Sequence, residues 1–274
     1  MSRIVLMHPG EMGSSVGAAL VAAGHEAVWI DQGRSAASRR RAEDARLAPM
    51  ASLDAALTGA DGVICVCPPE YAGNVAESVM ETGYEGAYVD GNAVSPATAL
   101  AIADVVGDAY VDGGIIGPPA WKPGVMRFYL SGALASDVAA LFDDTLVDAR
   151  VVDGGPGAAS ALKMCYAAYT KGSSALLLGV RALAARTGVD AALLAEWDIS
   201  QPGLRERSAG TAKGTSPKAW RFEGEMREIA ATYAAGSLPS GFHEAAAELY
   251  ARMARFKDEE PADIESVIAA LLDS

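Results

Sequence analysis

Arg3-Ile-Val-Leu-Met7 runs directly into His8-Pro-Gly10-Glu-Met-Gly13 and then into the apolar-periodic stretch Gly13–Ala23. An apolar strand, a glycine turn and an amphipathic helix in that order predict the opening βαβ unit of a dinucleotide-binding sheet. The full fingerprint is G-x-G-x-x-G. Its second and third glycines stand at Gly10 and Gly13, and His8 replaces the first. Gly10 lets the backbone approach a pyrophosphate, and Gly13 lets helix and strand pack closely. The helix start then faces the anion with unpaired N–H groups, those of Glu11 and Met12 among them.

Further strands are expected at Glu26–Ile30, Gly62–Cys67, Ala87–Asp90, Ala109–Asp112, Arg127–Ser131 and Ala149–Val152, with helices at Ser38–Leu47 and Asn74–Met80. Short apolar strands alternating with helices imply a mostly parallel sheet. At Asp153-Gly-Gly-Pro-Gly157 the pattern changes, and only helical periodicity follows. It covers 158–187, 190–197, 202–209, 220–235, 241–256 and 262–272, with Gly172 and Gly179 weakening the first. The fold class is therefore α/β: a doubly wound Rossmann sheet in residues 1–153, then an all-α domain in 154–274 whose alanine- and leucine-rich composition is too apolar for one sheet domain to cover, so a homodimer is expected.

The chain has 274 residues, 51% of them hydrophobic, and a net charge of −13. Its longest basic cluster is Arg39-Arg40-Arg41, which argues against nucleic acid or an anionic membrane as the main partner. No apolar run reaches the roughly 18 residues of a membrane span. The N-terminus enters a strand without a signal-peptide layout, and the expected location is the cytoplasm. Of the three cysteines, Cys65 and Cys67 alternate within an apolar strand and read as buried thiols. With no histidine near them in sequence, no metal site is expected.

The end of the second strand selects the cofactor. Asp31 is placed to hold a ribose 2′-hydroxyl, as in NAD. Arg34, Ser35 and Ser38 suit a 2′-phosphate, and the balance favours NADP with NAD possible. Cys67-Pro68-Pro69 forms a rigid turn beside the nicotinamide ribose. Asn92, in Asp90-Gly-Asn-Ala-Val-Ser-Pro96, reads either as a hydrogen-bonding partner of nicotinamide or substrate or as a turn residue. Lys163, in Pro156-Gly-Ala-Ala-Ser-Ala-Leu-Lys163, opens a polar helical stripe with Tyr166, Thr170 and Ser174. Lys171 lies off that stripe.

Gly10-Glu-Met-Gly13, Cys67-Pro-Pro69, Gly157 with Lys163, and the α/β-then-all-α order together resemble the β-hydroxyacid dehydrogenase superfamily, which includes the 6-phosphogluconate and 3-hydroxyisobutyrate dehydrogenases. Leu162-Lys-Met164, Tyr169-Thr-Lys-Gly172, Glu225-Met-Arg-Glu228 and Leu238-Pro-Ser-Gly-Phe242 are similar to a prokaryotic branch of it. The resemblance implies an NAD(P)-dependent dehydrogenase or reductase acting on a small hydroxy or keto acid, with the helical domain of 154–274 building the substrate site. Lys163 would be the general acid/base, with Tyr166 and Asn92 beside it. Two departures loosen the substrate assignment. Tyr166 and Ala167 stand where the family has an asparagine. Asp112-Gly113-Gly114, followed by Gly117, stands where a Ser-Gly-Gly turn holds a carboxylate. Imine reduction on the same scaffold is one alternative, and a non-catalytic NADPH-binding sensor is another. Trp121 suggests a larger or flatter ligand, with a loop anchor as the competing reading. Trp220, His243 and Glu225 are further candidates for the substrate site; the competing reading is a cap or surface residue for His243 and a solvated face shared with Glu228 for Glu225.

Overall fold

The computed structural model describes residues 1–273 and divides into two compact units, Met1–Met164 and Cys165–Ser274. The first contains one eight-stranded sheet: β1 (Arg3–Leu6), β2 (Glu26–Ile30), β3 (Ala48–Met50), β4 (Gly62–Cys65), β5 (Ala87–Asp90), β6 (Tyr110–Ile116), β7 (Met126–Ser131) and β8 (Val147–Val151). The order is β3-β2-β1-β4-β5-β6-β7-β8. All pairs are parallel except β6 with β7.

Alternation along each strand feeds two cores. Ile4, Leu6, Trp29 and Ile64 pack on one face with Val16 and Leu20 of α1 (Glu11–Ala22), Ala42 of α2 (Ala36–Asp44) and Val138 of α6 (Ala135–Ala140). Val5, Val28, Val63 and Cys65 pack on the other with Leu57 of α3 (Leu53–Leu57), Val79 of α4 (Ala72–Met80) and Ile102 of α5 (Pro96–Val106). Burial on both faces explains the near-continuous apolar strands.

Some elements lie outside the expectations from sequence. The short β3 holds Pro49, tolerated because β3 is an edge strand with no outer neighbour. Helix α5 grows from the turn ending in Ser95-Pro96: Ser95 Oγ accepts from Thr98 N at 3.2 Å, and Pro96 opens the first turn. β6 runs on past Asp112 to Ile116, so Gly113 and Gly114 are strand residues rather than a turn, opposite Leu130 and Tyr129.

Helix α7 (Ala158–Arg186) carries the division between the units, after Met164. The second unit continues with α8 (Asp190–Ser200), α9 (Leu204–Thr215), α10 (Ala219–Ala235), α11 (Gly241–Arg252) and α12 (Ile264–Leu272). The glycines that weaken the helical pattern of α7 have a packing purpose. A Cβ on Gly172 would stand 2.9 Å from Phe242, and one on Gly179 would stand 3.2 Å from Leu249, so both let α11 approach closely. Arg181, 5% exposed, bonds Asp190 at 2.8 Å and Ser208 at 2.7 Å, joining α7, α8 and α9. Glu225 is buried and pairs with Lys171 at 2.7 Å, which corrects its reading as a solvated acid. Among the described residues no helix is long and apolar enough to cross a membrane.

His243 is 4% exposed, its ring 4.2 Å from that of Tyr233 and 5.2 Å from that of Phe242. Burial lowers its pKa, so folding favours its neutral form. The unfolded chain protonates it below about pH 6.5. The unfolded state thus binds more protons, and stability falls as pH drops through that value. His243→Phe should flatten the acid-side decline in Tm below about pH 6.5. Superimposable Tm–pH curves for the two proteins would show that His243 does not contribute.

Candidate active site

The sheet order reverses direction between β1 and β4, and in open parallel sheets ligands bind beyond the carboxyl ends of the strands at such a point. Met7-His8-Pro9-Gly10 leaves β1 there and enters α1. No side chain caps α1 at Gly10. A Cβ on Gly13 would collide with the backbone oxygen of His8, so no other residue fits without displacing the turn. A Cβ on Gly10 would meet nothing within 4 Å, so the space beside the turn is open. An open glycine turn at an uncapped helix start fits a pyrophosphate, the group that a dinucleotide would place there. Glu11 is exposed, and Met12 packs against the first-face core.

Arginines surround this turn. Arg34 donates to Met7 O at 3.2 Å and Arg41 to Pro9 O at 3.1 Å. Arg39 is paired with Asp31 at 2.5 Å. Asp31 is therefore neutralised rather than standing alone. Ser35 caps α2, accepting from Ser38 N at 3.2 Å. Sequence reasoning misses Arg41 at the turn, because nothing in a run of three arginines says which one faces inward.

Across the switch point, Cys67 N donates to Asn92 Oδ1 at 2.5 Å, and Asn92 Nδ2 donates to Cys65 Sγ at 3.5 Å. Asn92, 2% exposed, thus holds the Cys67-Pro68-Pro69 turn against the end of β5. A short 3-10 turn begins at Pro69. Beneath it Asp90 is fully buried, and burial, with the Cys65 charge adding, pushes its carboxyl up to about 8. The two sulfurs are 3.7 Å apart. The Cys65 thiol is held down to about 5, chiefly by its hydrogen bond with Cys67, with His8 and Asn92 contributing and burial opposing. Cys67 is pushed up by the same hydrogen bond. The histidine that the C-x-C pair lacks in sequence is supplied by the end of β1 (His8).

Lys163 Nζ donates to Ile115 O at 2.6 Å, near the carboxyl end of β6. Its position is set by a buried cluster that the sequence does not reveal. Asp112, 0% exposed, accepts from Ser160 N at 2.9 Å, Ser160 Oγ at 2.5 Å and Ser131 Oγ at 3.2 Å, while Ser131 Oγ accepts from Ala159 N at 3.1 Å. A carboxylate at the start of α7 satisfies its first N–H groups and suits the helix dipole. A Cβ on Gly114 would meet Ala159 O at 2.7 Å and Lys163 Cβ at 3.0 Å, so this glycine admits α7 to the sheet. One on Gly113 would meet Phe128 at 2.7 Å. Gly113 and Gly114 therefore serve strand packing and the approach of the lysine helix, as strand residues where a turn is expected from sequence. Gly117 has φ +113, and a Cβ there would collide with Val125 O, so its own turn requires glycine.

Ala120 N donates to Ser15 Oγ at 3.0 Å, fastening the following loop onto α1. The exposed Trp121 lines a groove of about 600 Å³ with Glu11, Ser14, Arg41, Asp44 and Pro119. In the helical unit, Tyr166 is exposed, and Thr170 Oγ1 turns back to Tyr166 O at 3.2 Å. The Trp220 ring lies 4.3 Å beneath Lys257 Nζ. His243 is enclosed by the rings of Tyr233 and Phe242.

Residues 184–253 match the model of a domain of unknown function, DUF1932. No curated protein matches the chain in sequence. Among solved structures, a conserved protein of unknown function with structural similarity to 3-hydroxyacid dehydrogenases is 25% identical, with TM-score 0.67 over 93% of this chain and 97% of that one. Mycobacterium tuberculosis 3-hydroxyisobutyrate dehydrogenase, in a structure with L-serine, is 19% identical, with TM-score 0.72 over 99% of both chains. A reductive aminase from Aspergillus terreus, in a structure with NADPH4, cyclohexanone and allyl amine, is 18% identical, with TM-score 0.56 over 98% of both. The chain has the fold of the β-hydroxyacid dehydrogenase superfamily, a Rossmann sheet followed by a helical domain. Within that fold the match to the DUF1932 model lies in the helical part.

Proposed function

We propose that this protein is an NAD(P)-dependent oxidoreductase, with NADPH preferred, acting on a small hydroxy or keto acid or a related carbonyl compound, and that Lys163 is its general acid/base. One observation carries the reading: Lys163 is held on Ile115 O at the carboxyl edge of the same sheet whose switch point presents the open, uncapped glycine turn. Gly10 to Gly13 would hold the pyrophosphate, Arg34 and Ser35 the adenosine end, and Cys67 to Pro69 the nicotinamide end. The bound cofactor supplies the hydride. Lys163 donates its proton to the oxygen of the carbonyl being reduced, and its charge stabilises the alkoxide as it forms. Asp112 fixes the helix that carries it.

NADPH and NADH titrations followed by tryptophan fluorescence test the cofactor assignment. Tighter binding of NADPH is expected, and Arg34→Ala should weaken it by about 1–3 kcal/mol, the worth of a hydrogen bond to a charged group, while changing NADH little. Equal loss for both cofactors would take the phosphate contact away from Arg34.

Imine reduction is the second reading. Asp112 stands in place of the serine whose hydroxyl would hold a carboxylate, and Tyr166 replaces the expected asparagine. A cyclic imine and a β-keto acid assayed side by side with NADPH separate the two chemistries. A homodimer is also proposed. Tyr169, Leu176 and Leu183 recur at seven-residue spacing on α7, and all three are exposed. Light scattering at micromolar concentration would show a single-chain mass if the proposal is wrong.

A further inference from the structure

Three metal-ligand side chains converge at the switch point, although the histidine is far from the two cysteines in sequence. His8 follows β1, Cys65 ends β4 and Cys67 lies in the turn after it; their ligand atoms all lie within 4.8 Å of one another. The sulfur–sulfur separation is 3.7 Å. In a tetrahedral site with Zn–S bonds near 2.3 Å, the S···S edge is about 3.8 Å, so the two sulfurs already stand at a chelating distance. His8 Nδ1 is buried without a hydrogen-bond partner among the described residues, a rare state for a polar atom. The ring carrying that atom is the one that reaches the two thiols. Asn92 donates to Cys65 Sγ and accepts from Cys67 N, an arrangement that holds the Cys65 sulfur and the backbone of Cys67 in place. His8 and Cys67 are only partly buried, which leaves a route for an ion.

We infer that His8, Cys65 and Cys67 form a binding site for one thiophilic divalent ion, Zn2+ by its donor set. Two sulfurs and an imidazole nitrogen select zinc over magnesium or calcium, which require oxygen ligands. Three protein ligands leave the fourth tetrahedral position to water. The ion takes both cysteines as thiolates, any remaining thiol proton passing to solvent, and the two thiolates balance its charge. Its position has a consequence that rests on the dinucleotide reading above. His8 begins the glycine turn and Cys67 begins the Pro68-Pro69 turn, so the ion and NADPH contend for one place, and zinc is an inhibitor rather than a cofactor.

The untagged full-length protein, reduced and stripped with chelator, is titrated with Co2+. One equivalent should produce thiolate-to-cobalt charge-transfer absorption and strong visible bands, displaced by Zn2+. Cys67→Ser and His8→Asn should each lose this spectrum while melting cooperatively, and Asn92→Ala should weaken Co2+ binding by about 10–100-fold. Absence of charge-transfer absorption in the reduced protein overturns the site. So does a spectrum that survives in both ligand variants, which would put the metal elsewhere, as at the exposed Cys165. NADPH titrations of the stripped and Zn2+-loaded protein keep the two readings apart. Weaker NADPH binding in the loaded protein, matched by weaker metal binding in the presence of NADPH, supports the competition, since linkage is reciprocal. Equal NADPH binding in both forms overturns the competition. NADPH binding to neither form sinks the dinucleotide reading, and the metal site is then judged by the cobalt spectrum.

Discussion

Lys163→Met is expected to lower kcat by about 10²–10⁴-fold, the usual contribution of a positioned general acid, while leaving the NADPH dissociation constant essentially unchanged. The side chain keeps its length and apolar stem but loses the proton and the charge. Lys163→Arg separates these two losses. It keeps the positive charge, but a guanidinium does not give up its proton near neutral pH. The arginine variant should therefore remain nearly as slow as the methionine variant. Steady-state rates with the best substrate from a carbonyl and imine panel, beside fluorescence titration of NADPH, measure both quantities. Retention of wild-type kcat in Lys163→Met would remove the lysine from the chemistry. Loss of NADPH affinity with unchanged kcat would make it a cofactor contact instead.

Asp112→Ala is expected to produce the largest loss of stability, and a loss of rate beyond it. The carboxylate accepts three hydrogen bonds in a fully buried place, from Ser160 N, Ser160 Oγ and Ser131 Oγ. Truncation leaves those donors without an acceptor at the start of α7, at a cost of about 3 kcal/mol. Helix α7 then loses its anchor on β6, and Lys163 loses its fixed distance from the sheet edge. A displacement of about 1 Å at a reacting group costs about 10²-fold in rate. Asp112→Asn keeps an oxygen for Ser160 N and should recover part of both losses. Melting curves report the stability, and the split between kcat and the NADPH dissociation constant reports the positioning. If the variants lose stability but the folded fraction turns over at the normal rate, Asp112 supports the fold without placing the lysine.

The architecture is legible in the sequence because its signals are local. Strand periodicity, the glycine turn after β1 and the change of pattern at Gly157 each depend on residues adjacent in the chain. The places where sequence reasoning stops short are also physical. Pro49 hides β3, since a proline in a strand is acceptable only at an edge, and edge position is a property of the whole sheet. Asp112 reads as the start of a turn because two glycines follow it. Their bareness answers instead to Phe128 and to the first turns of α7, which arrive from other parts of the chain. Glu225 reads as solvated because its helical neighbour is Glu228, while its partner Lys171 stands on a different helix, α7.

By itself the sequence determined the α/β-then-α order, the cofactor-type turn at Gly10–Gly13 and the candidacy of Lys163, because backbone conformation and side-chain periodicity act over a few residues. Only the tertiary structure decided what surrounds them. Parallel strands bring distant segments to one edge of the sheet, which is how His8 meets Cys65 and Cys67, how Arg41 reaches Pro9, and how Asp112 comes to hold the helix of the lysine. Such meetings depend on strand order and register, and those follow from burying both faces of the sheet at once rather than from any local pattern.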